Sequence, residues 1–149
     1  MELTGTTWIV AADGAEARFF AEPMRAGPVH ELTDSRMRAG HEDHAPSHQH
    51  GTVHERGGVG RHGAGDETSP KQETEDRFLR RVADRLAKAA QHGDYERLVV
   101  MAPPHALGVL RQALPPAVAA KLEGSDPHER VKETADDIRR HLHDVRARA

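Results

Sequence analysis

Six of the chain's twelve histidines fall between residues 41 and 70, in the run HEDHAPSHQHGTVHERGGVGRHGAGDETSP. Imidazole is a common ligand of zinc, nickel and copper, and His41, His44, His48, His50 and His54 lie close enough in sequence to converge on one ion. Cysteine, the usual partner in a structural zinc site, is absent from the sequence. Ligands on a glycine-rich stretch have no second shell to orient them, so adventitious binding of zinc or nickel is expected and no dedicated cofactor. The same run holds Gly57, Gly58, Gly60 and Arg61, which suit a segment that reaches out to a partner.

Four other residues carry candidate chemistry. Asp13, at the end of an apolar run, is where a sheet-based nuclease places a metal-binding carboxylate. Such sites need two or more convergent acids, and Asp94 is the sole second candidate; an Asp-Gly turn opening a hairpin is the simpler reading. Arg18 either reads a phosphate or points outward from a strand into solvent. His105 follows Pro103-Pro104 at the start of a helix, with Arg111 further along. A helix N-terminus at the carboxyl edge of a sheet favours anions such as RNA phosphate. The two prolines remove donors there, and tight strand-to-helix packing explains the same residues. No serine sits in a nucleophile elbow and no His-Glu-x-x-His occurs.

These side chains need elements to hold them. TWIVAAD (Thr7 to Asp13) is an apolar run of strand length, Gly14 supplies a turn, and EARFFA (Glu16 to Ala21) continues as the second arm of a hairpin. Pro23, Gly27 and Pro28 mark a turn before VHELTDSRM, an expected third strand. Ser69-Pro70-Lys71-Gln72 is a helix start with an N-cap serine, a first-turn proline and a capping-box glutamine. Phe78, Leu79, Val82, Ala83, Leu86 and Ala90 then form one apolar face, the arginines at 77, 80, 81 and 85 lie mostly outside it, and Gly93 ends the helix. Leu98 to Ala102 reads as a buried strand, and PPHALGVLRQAL as a second helix. Val118 to Gly124 suits a short helix running into an edge strand. Thr134 caps a last helix with Asp136 and Asp137 in its first turn and Ile138, Leu142 and Val145 on its inner face. The expected fold class is α/β, one mixed β-sheet with helices packed on it.

With 149 residues the chain is sized for one domain spanning 1–149, with a disordered His/Gly-rich loop at 39–69 that has too little apolar area to offset its ordering entropy. Net charge is −3 with acids and bases interspersed, so any nucleic-acid contact is local. MELTGTTWIVAADG has no basic leader and too short an apolar run for a signal or membrane span, which implies a soluble cytoplasmic protein with no membrane partner.

TWIVAADGAEARFF, then FLRRVADRLAKAAQHGDYERLVVMAPPHALGVLRQAL and a terminal IRRHL, resemble the bacterial host-attachment protein family. Asp13-Gly14 with Arg18, and Leu98 to Arg111, carry most of the likeness; the stretch from Ser125 to Thr134 departs from the Asp-Leu-Thr run of the family. That family is similar to the middle domain of archaeal and eukaryotic class-1 release factors and of Pelota. The resemblance implies that α/β fold, with a long loop before the first long helix. In release factors that loop carries Gly-Gly-Gln into the peptidyl-transferase centre; here it holds Gly57-Gly58-Val59. The expectation is therefore a non-catalytic binding module for the ribosome, tRNA or translation machinery, with an indirect effect on host attachment. A hydrolase acting on peptidyl-tRNA or RNA, and a metal-binding protein, are the alternatives.

Overall fold

A computed structural model describes residues 5–44 and 69–149. Strands β1 (Thr7–Ala12) and β2 (Glu16–Glu22) form the expected hairpin, with Thr7 opposite Glu22 and Ala12 opposite Ala17. The expected third strand is instead two strands of two residues each, β3 (His30–Glu31) and β4 (Met37–Arg38), both paired with β2. Between them Thr33–Ser35 forms a 3-10 turn. Its Thr-Asp-Ser chemistry competes with ladder pairing through local hydrogen bonding.

Helix α1 (Pro70–Gln91) begins at Ser69, whose Oγ accepts the Gln72 amide at 3.0 Å, and it stops before Gly93, which adopts φ +76°. The left-handed conformation there is open to glycine without steric cost. Strand β5 (Arg97–Met101) runs parallel to β1; α2 (Pro104–Ala113) and the short α3 (Pro116–Ala119) lead to β6 (Leu122–Asp126), parallel to β5. Helix α4 (Ala135–Arg148) follows, with Thr134 and Asp137 forming a reciprocal capping box. The strand order is β3-β2-β1-β5-β6, with β4 also on β2, giving the mixed α/β sheet expected.

Alternation along the strands divides the core between two faces. Trp8, Val10 and Phe19 pack with Phe78, Val82 and Leu86 of α1 and Leu110 of α2. Ile9, Ala11, Phe20, Val99 and Met101 pack under Ile138, Leu142 and Val145 of α4. Tyr95 is buried with the first cluster, and its hydroxyl donates to the Leu86 carbonyl at 2.7 Å. Burial pushes that phenol up to about 12, so it remains a donor. Among the described residues, no helix is long and apolar enough to cross a membrane.

Candidate functional site

Parallel pairing sets Ala11, Met101 and Asp126 level with one another, so the chain leaves β1, β5 and β6 at one edge of the sheet. The start of α1 reaches the same edge, where Glu75 abuts Gly14 and both Gln72 and Asp76 meet His105. Ligands of α/β proteins commonly bind outside the carboxyl ends of the strands.

The two ends of the His/Gly-rich segment are also rooted here. Residues 39–44 belong to the fold: His41–Asp43 is a 3-10 turn, and Asp43 is 1% exposed. Arg81 of α1 donates to both carboxylate oxygens of Asp43 at 2.9 Å and to the Arg38 carbonyl at 3.0 Å, while the Gly40 amide donates to Asp43 at 2.9 Å. The Arg81 pairing holds the Asp43 carboxyl below its ordinary range, against the opposing effect of burial. On the far side, Ser69 caps α1. His44 and Pro70 line one cleft of about 400 Å³ with Gly14, Lys71, Thr74 and Glu75. Asp43→Ala is expected to lower stability by about 2 kcal/mol, the scale of charge-assisted hydrogen bonds. An unchanged urea midpoint would show that the clamp contributes nothing to the fold.

His105 lies in the first turn of α2, with its side chain 60% exposed. Its Nε2 is 2.9 Å from Asp76 Oδ1 and 2.7 Å from the Gln72 side-chain nitrogen. A protonated Nε2 donates to Asp76 and an unprotonated one accepts from Gln72, so the ring tautomer selects between them. Gln72 thus completes half of the expected capping box, through its backbone, while its side chain serves the histidine. Arg111 is exposed in the last turn of α2, about 9 Å along and about 240° round the helix from His105, so the two do not converge on one ligand.

Asp13 is a turn residue, its Oδ1 accepting the Ala15 and Glu16 amides at 2.9 Å. Asp94 sits beyond the C-terminus of α1, two residues before Glu96, whose amide bonds the Thr6 carbonyl below the other end of β1. A strand's length, about 20 Å, separates the two acids, so they form no metal pair. Rings of His41 and His44 stack edge to face with centroids 5.0 Å apart. Among the described residues no group of three His, Asp or Glu side chains is placed to hold a metal. His48, His50, His54, Gly57, Gly58, Gly60 and Arg61 lie outside the described residues.

Arg18 neither faces solvent nor stands open to a phosphate. It crosses the α4 face of the sheet and donates to the carbonyls of Val131 at 2.6 Å and Glu133 at 2.8 Å, and pairs with Glu31 at 2.8 Å. A guanidinium satisfies those carbonyls because its fork carries several donors in fixed geometry. Arg18 and Arg36 hold the Glu31 carboxyl well below its ordinary 4.5, at about 2. A depressed folded-state pKa contributes stability that is full above about 4.5 and is lost as the pH falls towards 2. Glu31→Gln should therefore be less stable than the wild type at pH 7, with the gap closing as the pH falls through 4 to 3. A gap independent of pH in urea melts would refute this role for Glu31.

Two clusters were not foreseen from the sequence. At the end of β6, buried Asp126 accepts from His128 Nδ1 at 2.5 Å and Arg130 Nε at 3.0 Å, and those bonds outweigh burial in keeping it ionised. At the opposite edge of the sheet, Arg146 bonds Glu22, Glu123 and Thr7. The Asp-x-His-x-Arg spacing was a usable local signal for the first. None exists for the second, whose members are up to 139 residues apart.

A family model described as "Protein required for attachment to host cells" matches residues 8–142. No curated protein matches the chain. Among solved structures, the archaeal translation termination factor aRF1 is similar at 10% identity and a TM-score of 0.49, over 96% of this chain and 39% of that one.

Proposed function

The chain belongs to the family of proteins required for attachment to host cells, and from that premise we propose that it is a non-catalytic binding module acting on the ribosome or translation machinery. Its influence on attachment is then indirect, exerted from the cytoplasm. The observation that carries the reading is the rooting of residues 45–68: Asp43 is clamped to Arg81 on one side, Ser69 caps α1 on the other, and His44 and Pro70 flank one cleft. Both flanks are thus anchored on α1, and the cleft between them opens at the carboxyl edge of the sheet, where ligands of α/β proteins commonly bind. The similarity of the host-attachment family to release-factor middle domains, implied by the sequence resemblance, favours the ribosome as the partner. Val59 in place of the glutamine of Gly-Gly-Gln weighs against peptidyl-tRNA hydrolysis.

Ribosome pelleting tests the reading. The wild-type chain should co-sediment, and deletion of residues 45–68 should abolish most of that association while moving the melting temperature by only a few degrees, since loop-closure entropy varies slowly with length. The deletion begins after His44 because removing Asp43 would also remove its clamp. Replacing His48, His50, His54 and His62 together with glutamine should have little effect on either measurement. Sedimentation no greater than that of an inert protein of similar size would overturn the proposal. A stoichiometric zinc or nickel site that raises the melting temperature would favour the metal-binding alternative.

A further inference from the structure

At the amino edge of the parallel strands, remote from the roots of 45–68, a cavity of about 500 Å³ lies between the 23–27 turn and residues 139–146 of α4. Its volume falls in the range of small-molecule sites. Four arginines and two histidines line it against two carboxylates, Glu22 and Asp144. Glu22 is already neutralised, because Arg146 holds both of its oxygens at 2.7 and 2.8 Å. Arg25 is matched by Glu123 at 2.8 Å.

Arg139 differs from these. Its hydrogen bond runs to the carbonyl of Ala26 at 2.8 Å, and a neutral carbonyl accepts a hydrogen bond without cancelling the charge. The guanidinium therefore retains its charge and further donors for an incoming oxyanion, and Arg fits phosphate geometry by paired N–H bonds. His143, one turn further along α4, lines the same cavity.

The opposite lip is the second observation. Ala26 adopts φ +66°, a left-handed conformation that an L side chain rarely takes. It is held there from both sides, its amide donating to Glu22 Oε2 at 2.9 Å and its carbonyl accepting from Arg139. Strained backbone fixed by surrounding structure is characteristic of ligand clamps. A guanidinium matched by no carboxylate among the described residues and a fixed lip facing it together suit an oxyanion.

We propose that the cavity between the 23–27 turn and α4 binds a phosphate monoester, with Arg139 as its principal contact. Titration with phenyl phosphate, followed by amide NMR, should move the signals of Ala26 and of residues 139–146, with weaker binding at high salt. Phenol should produce no such shifts, and benzoate, a monoanion, should bind more weakly than phenyl phosphate. Arg139→Gln should weaken phenyl phosphate by about tenfold or more, the scale of one charge-assisted contact. Arg139→Lys keeps the charge and should recover part of the loss, and Lys88→Gln, on the exposed last turn of α1, should bind as the wild type does. Equal shifts with phenol, tighter binding of benzoate, or unchanged affinity in a folded Arg139→Gln protein would each overturn the proposal.

Discussion

Val82→Asp should abolish cooperative unfolding. Val82 is fully buried on the α1 face, in one cluster with Trp8, Phe19, Phe78 and Leu86. The substitution removes a close-packed apolar side chain and places a carboxylate where no partner faces it. Neutralising that group costs a pKa shift of several units, and leaving it charged costs more. The expected loss is more than about 4 kcal/mol, comparable with the whole margin of a small domain. Near-ultraviolet circular dichroism should lose its aromatic signal, since Trp8 and Tyr95 stack at 5.2 Å in the same cluster. A soluble variant with the wild-type melting temperature would place a different face of α1 in the core.

Arg146→Ala is expected to cost about 3–5 kcal/mol, the range for removing one partner of a buried ion pair. Burial by itself disfavours the Arg146 cation, but hydrogen bonds to Glu22 and Glu123 outweigh it and raise its pKa above the ordinary value. Glu22 is 1% exposed, and the loss of Arg146 leaves it with the Ala26 amide as a donor but no countercharge from Arg146. Glu123 is less affected because Arg25 still pairs with it. The double variant Glu22→Gln, Arg146→Met should therefore recover much of the loss, since neither an unpaired charge nor a large void remains. Urea denaturation of the single and double variants measures both effects. A single variant within about 0.5 kcal/mol of the wild type, as for a solvent-exposed pair, would refute the buried network.

The elements of the fold were largely legible because their signals are local. The stripe from Phe78 to Leu86 recurs at helical spacing, Ser69 and Thr134 cap the helices they precede, and Gly93 takes the positive φ that ends α1. Near the end of that helix Ala89 is fully buried and Ala90 is half-buried against the same core, a small rotation within the same face. The segment after β2 was less legible. Its weak alternation reads as one strand, whereas the Thr33–Ser35 turn divides it into β3 and β4.

Side-chain roles were harder to read than elements. Asp13 follows from its sequence neighbourhood because an Asp-Gly turn bonds its own amides. Arg18 does not, because its partners Val131 and Glu133 lie more than a hundred residues away. Asp43 was grouped with the low-complexity stretch that follows it, yet a single pairing with Arg81 joins it to the fold.

The sequence by itself determined the helices, the hairpin and the mixed α/β class, since helical and strand periodicity and capping depend on residues a few positions apart. The tertiary structure alone decided which charges meet. A guanidinium acts over a few ångströms, and whether Arg146 meets Glu22 across 124 positions depends on strand register and on how α4 lies over the sheet.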